Sequence, residues 1–150
     1  SSAASDVYKR QVSEYPLKIV YAAGATLING DPLICGGYGG WWTGYMQDRT
    51  EKCYQLVNNQ WQEAPQLPSA RQGLAMATTD QTTFISGGES GSTWEEFLNG
   101  STLNEFFQLK GGSWRSLSPL PIKVRYHCLV ALNTTHLLNI GGESNSGVSK

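Results

Sequence analysis

The chain has 150 residues, a formal net charge of −1 and only 15% charged residues, which leaves no electrostatic footprint for nucleic acid or an anionic membrane surface. No apolar run approaches the roughly 20 residues of a membrane-spanning helix. Its 17 glycines and frequent Trp and Tyr suit many short strands joined by tight turns rather than a helical bundle.

The opening stretch, SSAASDVYKRQ, has no apolar period and no turn chemistry. It back-translates in frame to a transposon-type sequencing-library adapter. Residues 1–11 are therefore expected to be adapter-derived, not native and disordered, and they are set aside from the fold.

From residue 12 one pattern recurs. DPLICGG, TTFISGG and HLLNIGG each end an apolar run on a glycine pair. The pairs are Gly36-Gly37, Gly87-Gly88 and Gly141-Gly142, spaced by 51 and 54 residues. Between them, CYQLVNNQWQEAPQLP is echoed by FFQLKGGSWRSLSPLP, with Trp61 and Trp114 in register. Each pass reads as four short strands. Strand a is GLAMATT or HCLVALN, and a turn leads to strand b, FISGG or LLNIGG. A longer loop leads to strand c, CYQLV or FFQLK, and an Asn59 or Gly111-Gly112 turn to strand d, QWQEA or SWRSL. No helical period appears.

These residues resemble the kelch repeat, whose pattern is a double glycine after strand b, an aromatic in strand c and a Trp in strand d. The matching residues are Gly36, Gly37, Tyr54 and Trp61, then Gly87, Gly88, Phe107 and Trp114, then Gly141 and Gly142. The resemblance implies an all-β fold, a partial kelch β-propeller of about two and a half four-stranded antiparallel blades. Blade 1 would span 12–66, blade 2 67–120, and a truncated blade 3 121–150. A ring takes roughly four to eight blades, so the chain is expected to be a fragment of a longer one. The glycines and tryptophans are read as scaffold, the former for close backbone approach and the latter to fill the wedge between sheets.

Cys35 closes a strand b and Cys53 opens the neighbouring strand c, so a disulfide between them is expected; Cys128 has no evident partner. A metal site among these cysteines, His127 and His136 lacks close-spaced ligand pairs. GGYGGWW lacks the helix and the Gly-Lys ending of a phosphate loop. Its Tyr38, Trp41, Trp42 and Tyr45 are candidates for partner binding or for capping the blade. Arg71 and Arg125 stand opposite one another in the repeat alignment. They are read either as a ligand-facing ring or as structural groups.

Asn99 and Asn133 head N-glycosylation triplets in expected loops. With the disulfide they favour a secreted or extracellular location; a cytoplasmic kelch adaptor is the alternative. No catalytic constellation and no cofactor site is evident. The reading is a binding module that presents loops to a protein or glycan partner. The alternative is part of a copper-radical oxidase-like propeller whose site lies in sequence not present here.

Overall fold

The computed structural model describes residues 12–39, 48–91, 101–144 and 147–148. Residues 1–11, Trp41, Trp42, Tyr45 and Asn99 lie outside the described residues. The described chain is all-β and antiparallel. In the first sheet, β1 (Ala23–Thr26), β2 (Pro32–Cys35), β5 (Cys53–Val57) and β6 (Gln60–Ala64) lie in the order β1-β2-β5-β6. The second repeats it with β7 (Ala75–Thr78), β8 (Thr83–Ser86), β11 (Phe106–Lys110) and β12 (Ser113–Ser116), in the order β7-β8-β11-β12. A third pair follows, β13 (Cys128–Ala131) with β14 (Leu137–Ile140).

Local chemistry explains the turns. Asn58 and Asn59 join β5 to β6 with φ of 48° and 63°, and Gly111 and Gly112 join β11 to β12 at 60° and 75°. Two successive positive φ values define the tight hairpin that matches strand twist, and Asn and Gly tolerate them. In the β13–β14 turn, Asn133 Oδ1 accepts the backbone N–H groups of Thr135 and His136, each at 2.9 Å.

The long b–c loop holds an element the sequence pattern did not show. A two-residue ribbon follows each glycine pair: β3 (Tyr38–Gly39) with β4 (Asp48–Arg49), β9 (Glu89–Ser90) with β10 (Ser101–Thr102), and β15 (Glu143–Ser144) with β16 (Gly147–Val148). Two residues are too few to display an alternating period.

The inner strands β1, β7 and β13 pack in succession. Leu33, Cys35, Cys53, Leu67, Met76, Ile85 and Phe107 fill the space between the first and second sheets. Trp114 leans on this core and donates its indole N–H to Pro65 O at 2.9 Å. Trp61 likewise donates its indole N–H to a carbonyl, Ser13 O at 2.9 Å, with Tyr15 edge-on to its ring. Burial pushes the Tyr15 hydroxyl up to about 12, with Tyr54 adding to the effect. A smaller cluster of Ala75, Ala77 and Leu129 lies between the second and third sheets.

Cys35 and Cys53 face each other across β2 and β5, with Cα atoms 4.1 Å apart, and are disulfide-bonded. The bond closes a loop of 18 residues, which in the chain-entropy account stabilises the fold by about 3 kcal/mol. Cys128 is free and exposed. Among the described residues no helix is long and apolar enough to cross a membrane.

Gly87 and Gly111 allow a clean test of backbone approach. Both have φ near +60°, but a Cβ on Gly87 would meet Val124 O at 2.3 Å, whereas nothing lies within 4 Å of one on Gly111. Gly111→Ala is expected to cost about 1 kcal/mol through φ alone, and Gly87→Ala about 3 kcal/mol or more through φ and the clash. Urea unfolding of the two variants checks this; equal losses would refute the close approach.

Candidate functional site

The site is built from three rungs where neighbouring sheets converge. Val20 pairs with Tyr38, Gln72 with Glu89, and Arg125 with Glu143, as isolated antiparallel bridges. In each, the two residues exchange both backbone N–H···O bonds, at 2.8 to 3.1 Å. The residue after each first partner is Tyr21, Gly73 or Tyr126, and all three have positive φ, at 57°, 61° and 53°. Gly73 N–H donates to Tyr21 O at 3.0 Å and Tyr126 N–H to Gly73 O at 2.8 Å. One hydrogen-bonded step therefore links each repeat to the next.

This geometry corrects the repeat alignment. Gly37 N–H donates to Arg71 O, and the equivalent Gly88 N–H donates to Val124 O. Arg71 therefore corresponds to Val124, and Arg125 corresponds to Gln72. Matching arginine to arginine shifts the third repeat by one residue, which reverses which way a side chain points. The two arginines do not form a ring.

Arg71 is 1% exposed and acts as a strut between sheets. Its Nη2 donates to Glu105 Oε2 and Ser69 Oγ, each at 2.6 Å, and its Nη1 to Gly87 O at 3.2 Å. Its guanidinium lies 5.3 Å from the Phe107 ring centroid. Burial lowers its pKa, and Glu105 opposes that shift. Tyr38, read as a candidate for partner binding or for capping the blade, is buried at its rung. Both side chains are buried.

Arg125 stays at the surface and belongs to a ladder of charges. Arg49 Nη2 donates to Glu89 Oε1, and Arg125 Nη1 donates to Glu89 Oε2. Arg125 Nη2 reaches Glu143 Oε2 at 3.5 Å. Arg49 and Glu89 are buried, and Arg49 also donates to Gly91 O at 2.8 Å. A buried carboxylate between two guanidiniums is compensated, and removing one partner would leave a buried charge exposed to its full desolvation cost. Burial acts to lower the Arg125 pKa, but Glu89, Tyr126 and Glu143 together outweigh it and the net shift is upward.

Beside this ladder two tyrosine rings face solvent. Tyr21 is 58% and Tyr126 41% exposed, with ring centroids 5.4 Å apart. The Tyr126 ring takes the space a side chain on residue 73 would need: a Cβ there would lie 2.7 Å from its Cδ1. Arg125 lies 5.4 Å from its centroid, and Gln72 Nε2 donates to its hydroxyl at 3.3 Å. Burial, Glu89 and Tyr21 raise the Tyr126 pKa against the pull of Arg125 and Arg49. Gln72 Oε1 is buried without a hydrogen-bond partner among the described residues. The arrangement offers two aromatic faces, a guanidinium and an amide. Among the described residues of the rim, no nucleophile and base are placed together.

Sequence reading missed Tyr21, Arg49, Gln72, Glu89, Tyr126 and Glu143. One signal was available: the tetrapeptide GGES occurs twice, at residues 87–90 and 141–144, and places Glu89 and Glu143 at matched rungs.

One hydroxyl–imidazole pair occurs deeper in the fold. Ser86 Oγ and His127 Nε2 lie 2.8 Å apart, and both residues are buried. Among the described residues His127 Nδ1 has no hydrogen-bond partner, so no third group there orients the ring. Asn133 is exposed in its turn. Among the described residues no group of three or more His, Cys, Asp or Glu could hold a metal ion.

No family model matches the chain, and no curated protein matches it. Among 144 matching chains of solved structures, one described as "Structure of YjhT" aligns with a TM-score of 0.75 at 19% identity. The alignment covers 94% of this chain and 44% of that one. The likeness concerns the fold, and the chain spans less than half the length of that structure.

Burial pushes the His127 pKa down to about 4, against a weaker upward pull from Ser86. The folded state therefore holds the ring neutral while the unfolded chain protonates it near 6.5. Stability from this group is full above pH 6.5 and falls away as pH drops toward 4, by on the order of 3 kcal/mol. Urea unfolding across pH 7 to 4.5 is expected to show this slope, and His127→Gln to flatten it. An unchanged slope in the variant would refute the assignment.

Proposed function

We propose that the chain is part of a kelch-type β-propeller that serves as a non-catalytic binding module for a protein or glycan partner. Two four-stranded sheets repeat in sequence and in space, and their glycine pairs and tryptophans occupy equivalent positions. These features support the propeller reading. The observation that carries the binding role is the exposed Tyr21–Tyr126 pair beside Arg125. Aromatic and arginine side chains dominate recognition surfaces.

The test is binding of the full chain to an array of immobilised glycans and to a panel of peptides. Retention is expected, and Tyr21→Ala with Tyr126→Ala should abolish it while leaving the unfolding transition within about 1 kcal/mol of the parent, as for surface changes. Retention unaffected by both substitutions would refute the rim as the recognition surface.

The reading places the protein in a secreted or extracellular setting. The Cys35–Cys53 disulfide is compatible with an oxidising compartment. The exposed Asn133-Thr134-Thr135 turn is open to modification. Expression through a eukaryotic secretory pathway is expected to give a hexosamine-bearing peptide containing Asn133, read by mass spectrometry. A fully unmodified Asn133 would count against that setting.

A further inference from the structure

We propose that Tyr21 and Tyr126 are a site of oxidative cross-linking, joined ring to ring by a carbon–carbon bond when a haem peroxidase and hydrogen peroxide act on the protein. The proposal rests on the placement of the two rings and not on their role in recognition. Their centroids lie 5.4 Å apart with the planes tilted by 60°, inside the range of about 4.5 to 7 Å that a packed aromatic pair occupies. Both side chains are exposed. An oxidant can therefore reach both rings, and each phenol can release its proton to water.

The main chain holds the pair in place. Gly73 N–H donates to Tyr21 O and Tyr126 N–H to Gly73 O, so one hydrogen-bonded step carries both residues. Gly73, the middle of that step, has no side chain, and the Tyr126 ring fills the space one would take. The Tyr126 hydroxyl oxygen accepts from Gln72 Nε2 at 3.3 Å. That contact survives loss of the phenolic proton, because the oxygen is the acceptor in it.

The coupling balances. Each ring gives one electron to the oxidant and its hydroxyl proton to water, which leaves two neutral phenoxyl radicals. Unpaired density lies on the carbons beside the hydroxyl-bearing carbon, so a Cε of Tyr21 bonds to a Cε of Tyr126. The hydrogens on the two joined carbons move to the oxygens, and both phenols are restored. The protein loses two hydrogen atoms. One peroxide takes up two electrons and two protons and becomes two waters.

A second tyrosine pair supplies the contrast. Tyr15 and Tyr54 are nearly as close, with centroids 5.6 Å apart. Tyr54 is buried, and the Tyr15 hydroxyl is buried without a hydrogen-bond partner among the described residues. Burial there also pushes the Tyr15 pKa up to about 12. Its phenol has no acceptor for the proton that oxidation must release. Ring distance does not separate the two pairs, but access to oxidant and water does. The bond between Tyr21 and Tyr126 fastens the first repeat to the third across the second. It closes a long loop and restricts the unfolded chain as a disulfide does.

The experiment treats the full chain with hydrogen peroxide and a haem peroxidase. Cys128 is alkylated first, because an exposed free thiol consumes oxidant. The product is then reduced and digested with trypsin. The expected species has the mass of one chain less two hydrogens, with peptide 19–49 joined to peptide 126–150 and the bond placed by fragmentation at Tyr21 and Tyr126. Before digestion, its urea unfolding midpoint is expected to lie above that of the untreated chain. Tyr21→Phe and Tyr126→Phe each keep the ring but cannot form the phenoxyl radical, and each is expected to lose the cross-link. Tyrosines left unlinked, a dominant Tyr15–Tyr54 bond, bonds only between copies of the chain, or linkage that persists in both variants would overturn the site. The readout needs no ligand, so cross-linking and recognition at the rim are tested separately.

Discussion

Two backbone hydrogen bonds hold neighbouring sheets at a separation that side-chain packing alone does not give. Gly37 N–H donates to Arg71 O at 2.8 Å and Gly88 N–H to Val124 O at 2.9 Å. Stacked sheets ordinarily sit about 10 Å apart, with side chains between them. Main chains approach this closely here because one of them carries no side chain. The first glycine of each pair supplies that gap, and Gly87 has the closest approach. Contact at this one point leaves the sheets to splay from it. The space between the first two sheets is filled by Leu33, Leu67, Met76, Ile85 and Phe107, with Trp114 packed against them.

The same contact decides where charge is placed. With the backbones fixed, the rung residues of successive repeats lie side by side, and Glu89 falls between Arg49 and Arg125. The three side chains come from three different repeats. Isolated burial of any one would be costly, but the ladder compensates each. Its contribution is one of registry more than of net stability: a sheet displaced by one residue would bury Glu89 without its partners.

The strands, the two hairpin turns and the Cys35–Cys53 pairing were legible in the sequence, because each rests on local chemistry or on cross-strand distance. Asn59 and the Gly111-Gly112 pair name their turns directly, and Cys35 lies opposite Cys53 by strand order alone. The rim was not legible, for a different reason. Repeat spacing is uneven, and identity cannot say where the extra residue falls. Arg71 and Arg125 were matched as letters, whereas the backbone matches Arg71 to Val124. Tyr38 looked like part of an exposed aromatic loop, but it opens a ribbon of two residues and is buried there. Tyr21 and Tyr126 carried no signal, since left-handed backbone at a bulky residue is set by tertiary contacts and not by propensity.

The chemistry of equivalent positions separates scaffold from surface. At the indole acceptor and the wedge, the repeats use the same solution: Trp61 and Trp114 both donate to a carbonyl, and Leu67 recurs as Leu120. At the rungs they diverge, with Val20, Gln72 and Arg125 on one side and Tyr38, Glu89 and Glu143 on the other. The difference has a physical source. Each rung is held by its two main-chain hydrogen bonds, which any residue but proline can make. The main-chain bonds therefore place no demand on the side chains at these places, and what a rung side chain does is set by its neighbours: Tyr38 is buried, and Glu89 is held between Arg49 and Arg125. A scaffold that fixes its backbone through glycine and its wedges through tryptophan thus holds its rungs by main chain while their side chains differ between repeats, and Arg125 is one of these rung residues, with Tyr126 next to it.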